Sequence, residues 1–537
     1  MIANSLFFFL IFHRNIVIII TMSYVIEQKV GNHIYFYEVT SYWDPQKKQP
    51  RQKRKYLGKK DPATGHLCPP QTGRTPRLAK DYGHVYLLQA VAEQIGLPLI
   101  LNTVFPAESC TLLALAFFEI CEAEPLYLFP YWVESTAVPD VVPLSSRDLT
   151  TFTQNLGRME RERLEFSRRW VKQAGQVQAV AFDITSLSSY SELLEYVEWG
   201  YNRDLDPLPQ INLGIIYAEN TQLPLHYQIY PGSIPDVSTL QNMLQYLELF
   251  ALHDLIFIAD RGFYSAANLA KLHHAPVKFI LPLPRSVKQF SRLLTKHKRP
   301  LTNPANAFLY HDEVLFHVRD TFELNQVPLS AHLFFSEHRK SEQSSRFLSR
   351  ILELETAARQ ETFQTPKEAR CYLSRHLKGA SRLFQVQTRN GHIAIARKPQ
   401  TLARRVGKMG ASIMLSNHQD VQPETILDLY RRKDYLEKTF DVLKNEFDGK
   451  RLRGHSKEAI EGRLFIKFLS LILYAALGNM MRQQQLFKQY SVKELMHELK
   501  KLRIVELTNG KSYLTEISKR QRDIFSKFAI DIPSIKT

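Results

Sequence analysis

Residues 23 to about 65 alternate apolar and polar side chains, as in HIYFYEVTSYW, and then turn basic. The alternation predicts a small strand pair with a charged tip. From Arg77 to about Gly175 the period becomes helical. GHVYLLQAVAEQIGLP, ESCTLLALAFFEICEAEPL and RDLTTFTQNLGRMERERLEFSRRWVKQ read as helices punctuated by Pro98, Pro106, Pro125 and Pro143. After Gly175 three strand candidates follow in succession: VQAVAFDITSL, INLGIIYAE and LPLHYQIYPG. A helix (VSTLQNMLQYLELFAL), a strand (LIFIAD), a helix (AANLAKLHH) and a strand (VKFILPLP) complete the run. Three strands, a helix and a strand reached by a crossover predict a mixed α/β sheet. From about 286 to 424 the chain is polar, with short strand candidates (FLYHDEVLFHV, HIAIARK) and a charged helix around 345–360, and reads as an insertion. A long helix is expected from Thr425 to about Phe447, and an apolar one over LFIKFLSLILYAALGNMM.

At 537 residues the chain exceeds one ordinary core, so more than one domain is expected. The expected divisions are a basic β arm (23–70), a helical region (75–174), a core split between 175–285 and 425–482, an insertion (286–424) and a basic tail (483–537). The stretch 5–21 is apolar but broken by His13, Arg14 and Asn15 into runs of seven and five, far short of the roughly 20 residues that span a bilayer. With no small-residue cleavage site, residues 1–21 read as an over-long start before Met22, and no membrane partner is expected.

Charge changes the picture. Lys and Arg number 70 against 53 acids, a net charge of +17, which favours polyanionic partners. The run 46–60 (QKKQPRQKRKYLGKK) holds eight Lys or Arg and no acid. Alone it is a solvated basic loop; with Tyr56 and Pro50 interleaved, Lys53, Arg54 and Lys55 become candidate nucleic-acid contacts. The four cysteines show no CxxC spacing, so neither a zinc site nor a disulfide framework is indicated, which fits a reducing cytosol.

Two acids stand out in apolar strands. Asp183 lies inside AVAFDITSL, where a charge is costly unless paired or bound to a metal. Asp260 ends LIFIAD, where Asp is also an ordinary turn starter. Because a crossover returns the fourth strand beside the first, the two carboxylates can approach one point, as two-metal phosphoryl-transfer sites require. A third acid is offered by the helix at 425–447. At about 100° per residue, Tyr430, Lys433, Glu437 and Lys444 share one narrow wedge beside a stripe of Leu436, Phe440, Leu443 and Phe447. On its own that wedge is a solvated face flanking a core stripe.

Taken together and in this order, these residues resemble a DDE transposase of a bacterial insertion sequence, of the IS-four-type superfamily. That superfamily carries its catalytic Glu in a Tyr-x2-Arg-x3-Glu-x6-Lys signature. Here the stretch is YRRKDYLEKTFDVLK, with Tyr430, Glu437 and Lys444 in register and Lys433 at the Arg position. FDITS, YPGSIPDVSTL, ADRGFYS, RQKRKYLGKKD and HELKKLRIVELTNGK are also similar to the family's blocks, so the likeness spans nearly the whole chain after Met22. It implies an RNase H-like mixed-sheet core with a mostly β insertion and an N-terminal helical DNA-binding region. Asp183, Asp260 and Glu437 would hold two Mg²⁺ or Mn²⁺ ions. The partners implied are double-stranded DNA, as terminal inverted repeats and target, and a second copy of the chain in the DNA complex, within a prokaryotic cytoplasm. Tyr430, Lys433, Lys444 and Arg261 would contact DNA, with Lys433 on a DNA-facing edge but lacking the bidentate fork of Arg. A catalytically inactive DNA-binding repressor and an RNase H-like nuclease without strand transfer remain the rival readings; the intact acid triplet argues against the first.

Overall fold

The computed structural model describes residues 23–535, apart from 32, 45, 48, 63–64, 70–75, 140, 142–143, 192–193, 377–378, 390–391 and 419–420. The apolar stretch 5–21 lies outside the described residues. The chain divides into two units.

The smaller unit comprises the described residues up to Asp81, Leu502–Ile517 and those from Ser534 onward. Strands Ser23–Val30, His33–Asp44, Gln49–Lys60 and Leu67–Cys68 form an antiparallel sheet. The basic run is therefore a strand and not a charged tip. Residues 49–56 are exposed on both faces, and pairing to His33–Asp44 satisfies the backbone while the charges stay in water. Gly58 is required there, because a Cβ would stand 1.9 Å from the Cys68 carbonyl oxygen. Pro76–Asp81, expected as the start of the helical region, is a strand as well. Its partner Arg503–Leu507 comes from the far end of the chain and pairs in turn with Ser512–Leu514.

In the larger unit, ten strands form one mixed sheet: β1 (Ala179–Ser189), β2 (Gln210–Ala218), β3 (Leu223–Pro231), β4 (Ile256–Ala259), β5 (Lys278–Pro282), β6 (Ala307–Tyr310), β7 (Glu313–Leu324), β8 (Val327–Phe335), β9 (Ala411–Ser416) and β10 (Arg451–Leu452). Their order is β6-β7-β8-β9-β5-β4-β1-β2-β3, with β10 beside β1. Strands β1, β4 and β5 are mutually parallel neighbours, and β10 is parallel to β1; the other pairs are antiparallel. The run of apolar residues in β1 and β2 follows from burial on both faces. The helix Asp236–Leu249 makes the crossover from β3 and buries Leu240, Met243 and Leu247.

The stretch expected as a mostly β insertion divides in two. Strands β6 to β9 extend the large sheet itself. The remainder, with helices Glu337–Arg359, Pro366–His376 and Pro399–Val406 around the hairpin Phe384–Arg389/His392–Arg397, closes its own small core of Ile351, Ala369, Phe384, Ile395 and Leu402. It is helical as much as β.

Helix Ser146–Arg158 crosses helix Lys457–Gln483 backbone to backbone. A Cβ on Gly157 would stand 1.9 Å from the Glu458 carbonyl oxygen, and one on Gly462 would stand 2.0 Å from that of Thr153. Among the described residues, Lys457–Gln483 is the one single helix long and apolar enough to cross a membrane, but 72% of its apolar window is buried by the protein around it. Its apolarity is that of a core helix.

Candidate active site

The register of two parallel strands sets the first pair of acids. Phe182 of β1 is opposite Ala259 of β4, so the next residues along each strand, Asp183 and Asp260, emerge side by side. Asp183 remains within its strand, paired across to Ile215, and its Oδ1 accepts the Ile184 N–H at 2.8 Å. Asp260 ends its strand and caps a single turn at Arg261–Phe263.

The third acid arrives on a helix that is not continuous. Pro423–Arg432 ends, Asp434–Asp441 begins, and a π turn follows at Val442–Glu446. At the break the Lys433 carbonyl accepts from both Leu436 N–H (2.9 Å) and Glu437 N–H (3.3 Å), a tightened turn. The break aims Lys433 inward. The residue is 4% exposed. Its Nζ lies 3.6 Å from Asp183 Oδ2, 3.4 Å from Asp260 Oδ1 and 3.5 Å from Glu437 Oε1. The sequence puts Lys433 on a DNA-facing edge beside the buried stripe; in the structure it is buried and is the cation about which the three acids converge. The helical wedge put the right residues on one side, but a wheel cannot tell an edge from an inward turn at a chain break.

The electrostatics explain the arrangement. Burial alone would lower the ammonium pKa, yet Asp183 and Asp260, then Tyr430 and Glu437, outweigh it and the pKa is raised. A single carboxylate would roughly break even against the desolvation of a buried ammonium; three make it tenable. Asp183 is pushed up by its own burial, against the opposing charge of Lys433. Tyr430 directs its hydroxyl to Asp260 Oδ1 at 3.5 Å, and burial followed by that carboxylate raises it to about 12.

Asp183, Asp260, Lys433 and Glu437 line a cleft of about 350 Å³ that also takes in Lys444. Lys444 does not stand free: its Nζ is 2.7 Å from Asp204 Oδ2. Arg203 on the same wall pairs with Asp236 at 2.5 Å. Arg203, Asp204 and Asp236 were not singled out from sequence. Asp236 sits in YPGSIPDVSTL, which carried part of the resemblance, whereas Arg203 and Asp204 lie in a loop whose position depends on the fold. Arg261, next to Asp260, is exposed and lines a separate, basic cleft. Lys53, Arg54 and Lys55 are exposed on the strand Gln49–Lys60 of the smaller unit.

Carboxylate oxygens suit a hard divalent cation, and the point where three of them converge is held by a positive charge. The donor chemistry therefore fits a divalent ion. The spacing, with Lys433 between the acids, does not yet close on one: among the described residues no three His, Cys, Asp or Glu side chains are close enough to hold a metal.

The family described as "Transposase DDE domain" matches residues 175–473, more than half of the chain. That span contains Asp183, Asp260, Lys433 and Glu437. No match was found among curated proteins. Among solved structures, the chain is similar to a piggyBac transposase in a cryo-EM synaptic complex with hairpin DNA, at 10% identity, a TM-score of 0.33, and coverage of 78% of this chain and 70% of that one.

Proposed function

The chain belongs to the transposase DDE-domain family, whose members are nucleic-acid phosphoryl-transfer enzymes, and from that premise we propose that it is an insertion-sequence transposase of the IS-four type. In this reading it binds terminal inverted repeats and carries out end cleavage and strand transfer, as a homodimer on DNA in a prokaryotic cytoplasm. Its sheet is an RNase H-like core, and the helices of 75–174 serve as a DNA-binding region. The observation that carries the proposal is the convergence of Asp183, Asp260 and Glu437 on one cationic point.

Asp183, Asp260 and Glu437 would hold Mg²⁺ or Mn²⁺. Ions bound there would supply an activated water and neutralise charge on the scissile phosphate. The chain's own residues do the rest. Strands β1 and β4 fix the two aspartates in step, and the tightened turn at Lys433 brings the glutamate to them. Lys433 offsets part of the negative charge of the three acids. Tyr430 orients Asp260 through its hydroxyl. Lys444, Arg261, Lys53, Arg54 and Lys55 supply positive charge for the DNA backbone.

The test is an end-cleavage assay on duplexes with and without the element's inverted repeats, in Mg²⁺. Cleavage confined to repeat ends, followed by joining to a second DNA, is expected. Equal cutting of both duplexes would favour a general nuclease, and binding without cutting would favour a repressor.

A further inference from the structure

A second cleft, of about 1240 Å³, opens one residue beyond the acidic site, with Arg261 on its wall beside Asp260. Helix Glu337–Arg359 contributes Arg346 and Arg350 to it, and helix Pro399–Val406 contributes Arg404. Lys408 and Arg285 also line it, and Glu353 is the single acid in the lining. The cleft is larger than the roughly 300–1,000 Å³ of ordinary small-molecule pockets.

The walls are held in place. Arg285 donates to the Ala411 carbonyl at 2.7 Å, Lys408 donates to the Arg285 carbonyl at 2.7 Å, and Arg405 lies 4.9 Å over the Phe347 ring. The charges facing the cleft are poorly neutralised. Among the described residues, Arg261, Arg350 and Arg404 form no ion pair, and Arg346 has only an exposed one with Glu342. A charged helix face is usually just solvated. Several basic side chains gathered around one cleft with a single acid repel one another, and an anion among them relieves that cost. Arg346 and Arg350 are one helical turn apart, about 6 Å, and so stand on the same side of their helix.

We propose that this cleft carries the backbone of the DNA duplex that continues from the scissile phosphate at the Asp183–Asp260–Glu437 site, with Arg346, Arg350, Arg404 and Lys408 lining it. The proposal rests on DNA being the substrate. It assigns the region between the sheet's outer strands a role in holding that substrate, with Arg261 bridging the two clefts.

The test is fluorescence anisotropy of a labelled duplex of about 30 base pairs across a salt series, with nicking in Mg²⁺ measured in parallel. Each lost phosphate contact lowers the slope of log affinity against log salt by about 0.9. The Arg346→Ala/Arg350→Ala double variant should lose nearly two units of slope and bind about tenfold more weakly, with an unchanged melting temperature. Arg404→Ala should lose about one unit, and the Arg346→Lys/Arg350→Lys variant should keep the wild-type slope. Wild-type slopes in the Ala variants, in a protein that itself binds and nicks DNA, would overturn the cleft assignment alone. A wild-type protein that neither binds nor nicks DNA would instead sink the functional reading. Displacement of the probe by polyglutamate more readily than by unlabelled duplex would assign the cleft to an acidic protein and also overturn it.

Discussion

Lys433 Nζ stands 3.4 Å from Asp260 Oδ1, inside the acidic cluster and not beside it. The ammonium lies 3.4–3.6 Å from the three carboxylates, farther than the roughly 2.0–2.6 Å of metal coordination, so an ion held by all three as proposed would have to displace it. In the proposed reading lysine and metal are therefore alternatives. Replacing the lysine by methionine keeps the apolar stem and removes the charge. In chelator, Lys433→Met should be less stable by about 1–3 kcal/mol, less than a fully buried pair costs because Glu437 is largely in water. Added Mn²⁺ should raise its melting temperature more than it raises that of the wild type. Thermal shift with and without Mn²⁺ is the measurement, and equal Mn²⁺ shifts in the two proteins would show that lysine and metal do not compete.

The acids themselves should separate binding from chemistry. Asp183→Ala, Asp260→Ala and Glu437→Ala are each expected to abolish Mg²⁺-dependent nicking while leaving duplex binding within about twofold, since none of them attracts phosphate. The loss should exceed the roughly 10–100-fold that changes behind a metal ligand cause. Gel shift and nicking on the same DNA check this. Near wild-type nicking by any one variant removes that residue from the site, and Asp441, which lines the same cleft, becomes the replacement to test.

The parts of this site legible in the sequence are those whose burial is complete. Strands β1 and β2 read as apolar runs because both faces are covered, so the acid at Asp183 stood out within one of them. Asp260 was found for the same reason, at the end of buried β4. What stayed hidden depends on long-range pairing. Pro76–Asp81 resembles the start of a helical region until Arg503–Leu507 lies beside it. Strands β6 and β7 looked like part of a separate polar stretch because the outer part of a sheet keeps one face wet. The inward turn of Lys433 needs a break in a helix that periodicity alone draws as continuous.

Glu219 gives the protein a pH dependence with a definite sign. It follows β2, is 1% exposed, and neither carboxylate oxygen has a hydrogen-bond partner. Burial pushes its pKa up from 4.5 to about 8, opposed by Arg432 and reinforced by Asp434. A raised carboxyl pKa means that the unfolded chain loses the proton first, so the stability present below 4.5 falls as pH rises and is lost by about 8. Glu219→Gln keeps the shape and removes the titration. The variant should match the wild type near pH 4.5 and be more stable by a few kcal/mol at pH 8.5, as read by urea denaturation at each pH. Parallel pH profiles for the two proteins would mean that the carboxylate finds a partner in solution.

Two glycines of helix Lys457–Gln483 should respond to the same substitution with opposite sign. A methyl group on Gly462 would stand 2.0 Å from the Thr153 carbonyl oxygen and 3.2 Å from the Gly157 nitrogen, all backbone atoms of helix Ser146–Arg158. Backbone cannot step aside as a side chain tip can, so the helices must separate and surrender the packing along their crossing. Overpacking of this kind costs about 1–3 kcal/mol or more. At Gly478 the nearest atoms to a new methyl are the Arg482 Nη1 at 3.9 Å and the Phe487 ring at 4.0 Å, which is ordinary contact. There the gain in helix propensity, about 0.5–1 kcal/mol, is unopposed. Gly462→Ala is therefore expected to lower the melting temperature and Gly478→Ala to raise it, in paired thermal scans. If both changes destabilise, the space beside Gly478 is already used. If neither does, helix Ser146–Arg158 does not hold its close crossing in solution, and its attachment to the core helix is looser than the backbone contact at Gly462 implies.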